Sequence, residues 1–244
     1  MNNYRKTAII VGVLFIIATV AAVLGKVVFY QPILDAPDYL AGISANENQV
    51  IIGAILGLIA AFACAGIAIW LYPTLKKHNG AMALGSVGFR IIEGILYVVV
   101  VIGLLSLLTL SQEYVKAGTP ETSFFQALGS ILLAMREWAG QLAVIAFTLG
   151  GMMYYSVFFQ SKLIPRWLAG WGFLGVALSL ASALLSLFGQ VVPFSAVSVL
   201  LNLPIGVQEM VLAVWLIVKG FNPSPVAITS PSAEKATNEL LSVS

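Results

Sequence analysis

Charge is what this chain has least of. Only 9% of its 244 residues are Asp, Glu, Lys or Arg, and 60% are hydrophobic, where a soluble globular domain carries about 25% charged residues. So few charges cannot cover a water-facing surface, which excludes a cytosolic enzyme. A disordered chain is excluded as well, since disorder goes with few apolar residues and abundant charge. The formal net charge of +2 offers no field for a polyanion, so no nucleic-acid partner is expected. A single cysteine, Cys64, rules out an internal disulfide and any two-cysteine redox centre. A single histidine, His78, rules out bis-histidine haem ligation and most multi-histidine metal sites. No cofactor and no metal are expected, and the partner implied by composition is the lipid bilayer.

Long apolar runs are what the chain has instead. A membrane helix needs roughly 20 apolar residues, and mean hydropathy is +0.99. The runs predict an all-α, polytopic bundle of six transmembrane helices over about 7–29, 50–72, 81–108, 138–161, 167–188 and 197–218. The uncharged stretch from Trp167 to Gln208 is too long for one helix, and Gly189-Gln190-Val191-Val192-Pro193 supplies the break. Residues 1–221 then form one six-span domain, and the Pro- and Ser-rich 222–244 reads as a disordered cytoplasmic tail. Arg5-Lys6 ahead of an apolar run resembles a secretory signal. The 19 charge-free residues of Thr7–Gly25 exceed a signal core of about 7–15 residues, however, and predict an uncleaved first span.

Basic residues orient the spans, because cytoplasmic loops carry the excess. With the N-terminus inside, Arg5, Lys6, Lys76, Lys77, Lys162, Arg166 and Lys219 fall on the cytoplasmic rim, while Lys26 and Lys116 lie outside. Asp35, Asp38, Glu47, Glu113 and Glu121 all fall in the two long outer loops. Both termini are therefore expected to be cytoplasmic. The first outer loop is expected to form a lid or short interfacial helix. Phe124, Phe125, Leu128, Ile131, Leu132 and Met135 predict a helix running into span four. That helix sets Arg136 about 39 Å from Lys162 at ~1.5 Å per residue, as an interfacial extension at the outer headgroup edge.

Helices in lipid associate through small residues. Span two carries Gly53 and Gly57, continued by Ala61 and Ala65, a narrow stripe for packing within the chain or for a homodimer seam. Span five carries Gly170, Gly172 and Gly175, then Ser179, Ser182 and Ser186, which reads as another packing face.

Three ionisable side chains remain in the hydrocarbon region. Arg90 and Glu93 are three apart and project from one face of span three. Counted at ~1.5 Å per residue, they lie about 14 Å and 18 Å into the bilayer, and Glu209 of span six about 15 Å from the same side. A charge at that depth costs about 3 kcal/mol or more, so such residues face the bundle interior and pair. The expected arrangement is an Arg90–Glu209 ion pair between spans three and six, with Glu93 beside it. Two acids against one base leave one carboxyl without a full partner, which suits a proton relay or a coupled carrier. The bland alternative is a clamp between two helices. Pro204, with Leu203 and Gly206, loosens span six one turn above Glu209 and frees a backbone carbonyl. Gln208, Asn202, Thr148 and Tyr97 are candidate polar lining. The candidate ligand-binding or proton-coupling set is therefore Arg90, Glu93, Glu209, Gln208 and Pro204.

Enzyme signals are missing. There is no HExxH, no GxSxG, no P-loop glycine pattern and no paired aspartates in adjacent spans, so no catalytic residue is assigned and a non-enzyme is expected. His78 reads as a solvated or headgroup-contacting residue in a basic turn, and Cys64 as packing. An inverted 3+3 repeat would set span three opposite span six, although the sequences around Arg90 and Glu209 do not otherwise align.

Three segments taken together carry a family resemblance. They are Gly88-Phe-Arg-Ile-Ile-Glu93, Gln160-Ser-Lys-Leu-Ile-Pro-Arg-Trp-Leu-Ala-Gly170 and Pro204-Ile-Gly-Val-Gln-Glu-Met-Val-Leu-Ala-Val-Trp-Leu-Ile-Val-Lys-Gly220. The chain resembles, over roughly residues 5–221, a bacterial integral membrane family known as a domain of unknown function, DUF4386. Matching positions here are Arg90, Glu93, Pro165, Arg166, Pro204, Glu209, Trp215, Lys219 and Gly220. The resemblance implies a multi-pass protein of the bacterial inner (cytoplasmic) membrane and a shared fold, and it implies no activity. Two readings follow: a non-enzymatic module binding a ligand, lipid or partner, or a small-solute or proton-coupled carrier using Glu93 and Glu209.

Overall fold

The computed structural model describes residues 3–118, 122–193 and 195–222. It is all-helical, 88% helix with no strand among the described residues. Helix α1 (Asn3–Val23) runs into a π-helical segment, Leu24–Tyr30, followed by two short helices, α2 (Gln31–Leu34) and α3 (Tyr39–Ala45). The long helices follow: α4 (Glu47–Leu75), α5 (Gly80–Ala117), α6 (Thr122–Ser161), α7 (Arg166–Leu187) and α8 (Ala196–Val218). Six are long and apolar enough to cross a membrane: α1 with its π-helical extension, α4, α5, α6, α7 and α8.

The helix ends follow local chemistry. The Asn79 side chain accepts the Met82 amide at 3.0 Å and starts α5, Ser195 caps α8, and Asp38 caps α3; each satisfies one of the amides that a first turn leaves open. Gly189, at φ +69°, ends α7 in the left-handed region that glycine enters without a Cβ clash. The break expected at 189–193 is therefore present.

Each span packs on its neighbours in sequence, and α8 returns to α1, which closes the six into a ring. All six contribute to one core, built around Phe15, Ile67, Leu71, Tyr154, Tyr155, Phe158, Leu168 and Leu212. Apolar burial does little between helices in lipid, so close approach depends on small residues. A Cβ on Gly175 would stand 3.0 Å from Ile205, and one on Gly94 3.0 Å from the Ala61 carbonyl. Gly172, Gly175, Ser179, Ser182 and Ser186 are all buried and Gly170 is partly exposed, so the span-five face packs from Gly172 onward. The span-two stripe is seated within the chain. Gly53 lies against Tyr30 and Gly25 of span one, Gly57 against Val101, and Ala61 against Gly94 of span three.

The two ends of the bundle differ. At one, the 31–46 segment folds into α2 and α3, as a lid would, and α3 packs on α5. Leu40, Leu110 and Phe125 form a small cluster there, and the Ser111 hydroxyl donates to the Leu40 carbonyl. Arg136 lies on α6, near the lid end. Its side chain is buried against the protein, its guanidinium 5.1 Å from the centre of the Tyr30 ring and its Nε 3.4 Å from the Val100 carbonyl. Helix α6 is continuous around it, and its stem lies on α5 at Gly103. The opposite, basic end is fastened by side chains. Arg5 donates to the carbonyls of Ile217 and Val218 at 2.7 and 3.2 Å, and Lys77 to the Tyr4 hydroxyl at 3.0 Å. Beyond α8, the Asn222 amide donates to the Leu163 carbonyl at 2.8 Å. The rest of the expected tail, 223–244, and the loop acid Glu121 lie outside the described residues.

Candidate functional site

Span three supplies the centre of the site. Arg90 and Glu93 lie one turn apart on α5, both 2% exposed, and Arg90 Nη1 stands 2.9 Å from Glu93 Oε2. This corrects the expected Arg90–Glu209 pair. The ion pair joins two residues of one helix, because the i, i+3 neighbour is already within reach and α5 and α8 share no extensive packing. The Arg90–Glu93 alignment falls short of a hydrogen bond, and Arg90 Nε and Glu93 Oε2 have no hydrogen-bond partner. The other face of the guanidinium is covered by Phe147 of α6, whose ring centre is 5.2 Å from Cζ, within cation–π range.

Glu209 reaches the same enclosure from α8 and interacts electrostatically with both Arg90 and Glu93. Its Oε1 is buried with no partner. Tyr154 of α6 is in electrostatic contact with Arg90 and Glu209 and lies beside the Tyr155 hydroxyl, is fully buried, and its hydroxyl completes no well-aligned hydrogen bond. Cys64 of α4 lies within hydrogen-bonding reach of Glu93, and Tyr97 of α5 within its field. Four polar atoms thus stay unsatisfied in one place: Arg90 Nε, Glu93 Oε2, Tyr154 Oη and Glu209 Oε1. Buried polar groups are nearly always hydrogen-bonded, and leaving one unpaired costs about 1–3 kcal/mol.

The other polar candidates of α6 and α8 are held in contacts of their own. Gln208 is wholly buried, accepting from the Tyr155 hydroxyl at 2.5 Å and donating to the Leu168 carbonyl at 3.0 Å. It joins α6, α7 and α8, and so fixes the rotation of α8 that turns the next residue, Glu209, inward. Asn202 donates to the Ser198 carbonyl and the Ser182 hydroxyl, at 2.8 and 3.1 Å, and accepts from Ser179, tying α7 to α8. The Thr148 hydroxyl bonds back to the Ile145 carbonyl at 2.8 Å. Pro204 lies within an unbroken α8, where it removes one helical hydrogen bond. Tyr154 and Tyr155 were not among the sequence candidates; the signal for them was a pair of phenols inside an otherwise uncharged span.

Away from this cluster, His78 lines a cleft of about 170 Å³ with Asn79, Val157, Gln160 and Ser161. It is half-buried rather than solvated, and burial together with the Lys77 charge lowers its pKa below 6.5. Among the described residues, no group of three or more His, Cys, Asp or Glu side chains is placed to hold a metal ion.

A search of curated proteins and one of solved structures return no match. The family DUF4386, a domain of unknown function, matches residues 10–220. That match takes in Arg90, Glu93 and Glu209, the basic loop at 162–166 and the helical ring from residue 10 of α1 onward. The chain belongs to the DUF4386 family.

Proposed function

We propose that this protein is a non-enzymatic binding module of the cell membrane, in which the interior Arg90–Glu93–Glu209–Tyr154 cluster takes up a small polar ligand. One observation carries the reading: four buried polar atoms from three spans meet unsatisfied in one enclosure. A helix clamp would have paired them, since each unpaired group lowers stability. The membrane is the inner membrane of a bacterium, with both termini in the cytoplasm. This orientation is supported by the basic end of the bundle, which collects Arg5, Lys6, Lys76, Lys77, Lys162, Arg166 and Lys219 and no described acid, the bias of a cytoplasmic face. Native mass spectrometry of the protein released from lipid nanodiscs tests the binding reading. A small molecule retained by the wild type and lost from Tyr154→Phe and Glu209→Gln supports it. Identical spectra for all three, with no retained mass, would falsify it.

A second reading is favoured by the excess of acid over base in the cluster: the same site serves a proton-coupled carrier. Proteoliposomes enclosing a pH-sensitive dye should acidify under an imposed membrane potential, negative inside, and Glu209→Gln should abolish that acidification. Acidification equal in the variant, or no faster than in protein-free liposomes, removes this reading.

A further inference from the structure

The two interior carboxyls are not equivalent. Glu93 has a base of its own in Arg90, 2.9 Å away on the same helix. Glu209 has none: its Oε1 is enclosed without a partner, and its charged neighbours are Arg90, already paired, and Glu93, of like sign. The other titratable groups around it are Cys64 of α4, Tyr97 of α5 and Tyr154 and Tyr155 of α6. Helices α1 and α7 pack directly on α8 and add no counter-charge. The ionisable side chain of α7 is Arg166, its first residue. Those of span one are Tyr4, Arg5 and Lys6 at the basic end, with Lys26 and Tyr30 near the other. Arg5 is engaged with the carbonyls at the end of α8, eight residues beyond Glu209 or about 12 Å at ~1.5 Å per residue.

Charge balance then separates the roles. One guanidinium neutralises one carboxylate, and a second carboxylate would leave a net negative charge inside the bundle, where charge is costly. A proton is the occupant that cancels it without requiring a cavity. Resting on the reading of this cluster as a site, we infer that Glu209 is the proton-exchanging carboxyl of the protein and that Glu93 is a positioning residue which holds Arg90. On release, the O–H bond of the Glu209 carboxyl breaks and the proton passes to a water molecule, leaving a carboxylate; uptake reverses the step. The Tyr154 hydroxyl, buried beside Tyr155 and in the field of Glu209, offers the carboxylate a neutral donor once the proton has left.

The test is pH-difference infrared spectroscopy of the full chain in lipid nanodiscs, following the carbonyl stretch of a protonated carboxyl. Wild type should show a band that disappears as pH rises, and Glu209→Gln should lack it. That substitution keeps the side-chain shape and leaves the Arg90–Glu93 pair intact. Should the variant not fold, the wild type alone answers. A hydrophobic carbodiimide, which takes the proton of a protonated carboxyl and is then attacked by its oxygen, should label Glu209 and not Glu93 by peptide mass spectrometry, and less of it at higher pH. A band retained in Glu209→Gln, no pH-dependent band in wild type, or preferential labelling of Glu93 each overturns the assignment. The readouts also separate this inference from the binding reading. A titrating Glu209 with no retained molecule leaves the assignment standing and removes the ligand; a retained molecule with a silent Glu209 does the reverse.

Discussion

Arg90 has two carboxyls in its field and pairs with one of them, and the cost of removing it follows from that. Arg90→Met strands Glu93 in the core, and breaking a buried pair from one side costs about 3–5 kcal/mol. Removing both partners in Arg90→Met/Glu93→Leu takes away the charges together and should recover most of that loss. Reversible unfolding in mixed micelles measures both, and a double variant no more stable than Arg90→Met would contradict the pairing. His78, the one histidine, titrates where it can be followed alone. Its pKa is lowered first by burial and second by Lys77, so the fold favours the neutral ring. The stability it contributes is complete above the ordinary value of 6.5 and is lost as pH falls through the lower folded value. An NMR titration of its ring should give a midpoint below 6.5, and Lys77→Gln should move that midpoint part of the way back; a wild-type midpoint at or above 6.5 would rule this out. Sequence spacing placed Arg90, Glu93 and Glu209 at one depth, and the fold buries the first two and brings the partly buried Glu209 to them. It did not give their pairing, because Arg90 has acids within reach on its own helix and on another, and only packing decides between them. Tyr154 escaped for a different reason. A phenol counts as apolar in a hydropathy run, while its hydroxyl needs a partner once buried.

At the scale of helices, small residues decide which pairs lie close. Gly175 of α7 meets the backbone of α8 at Ile205, where a Cβ would have 3.0 Å. Gly175→Leu should therefore push the two helices apart and, as overpacking does, cost about 1–3 kcal/mol. Gly206, one residue beyond Ile205, has no atom within 4 Å of where its Cβ would stand. Gly206→Ala should be neutral or gain up to about 1 kcal/mol from helix propensity. Thermal unfolding in one detergent compares the two, and equal effects would show that this glycine contact does not set the α7–α8 distance. Span number and the 189–193 break were legible because length and turn chemistry are local. The π-helical segment Leu24–Tyr30 was not. It depends on partners such as Gln49, whose amide donates to the Phe29 carbonyl at 2.9 Å, and no periodicity of residues 24–30 announces that contact. Helix α6 was legible as a continuous run from Ser123, but the burial of Arg136 required knowing that Tyr30 and α5 would be there to receive it.

For the whole molecule, ring closure and charge asymmetry are two consequences of one connectivity. Alternating spans with short turns at one end bring the chain's first and last helices together there. Arg5 then meets the carbonyls that end α8, where a cation is favoured by the helix dipole. The same alternation collects seven basic residues at that end, while Asp35, Asp38, Glu47, Glu113 and Glu137 collect at the other. The ring order itself was not legible, since apolar runs state how many helices cross and not which ones touch. Which end faces the cytoplasm is a physical question with a direct answer. Cys64 is the one native cysteine and is buried, so Cys64→Ala provides a background without reactive thiols. Lys77 and Asp38 are exposed and lie in the turn after α4 and in the lid. Single cysteines placed there, as Lys77→Cys and Asp38→Cys, report opposite faces. In intact cells the proposed orientation, with the basic end toward the cytoplasm, predicts that a membrane-impermeant maleimide labels Asp38→Cys at once and Lys77→Cys only after lysis. The reverse pattern would invert the bundle, and with it the side from which a proton reaches Glu209 by the shorter path, since Glu209 lies ten residues, about 15 Å at ~1.5 Å per residue, from Lys219.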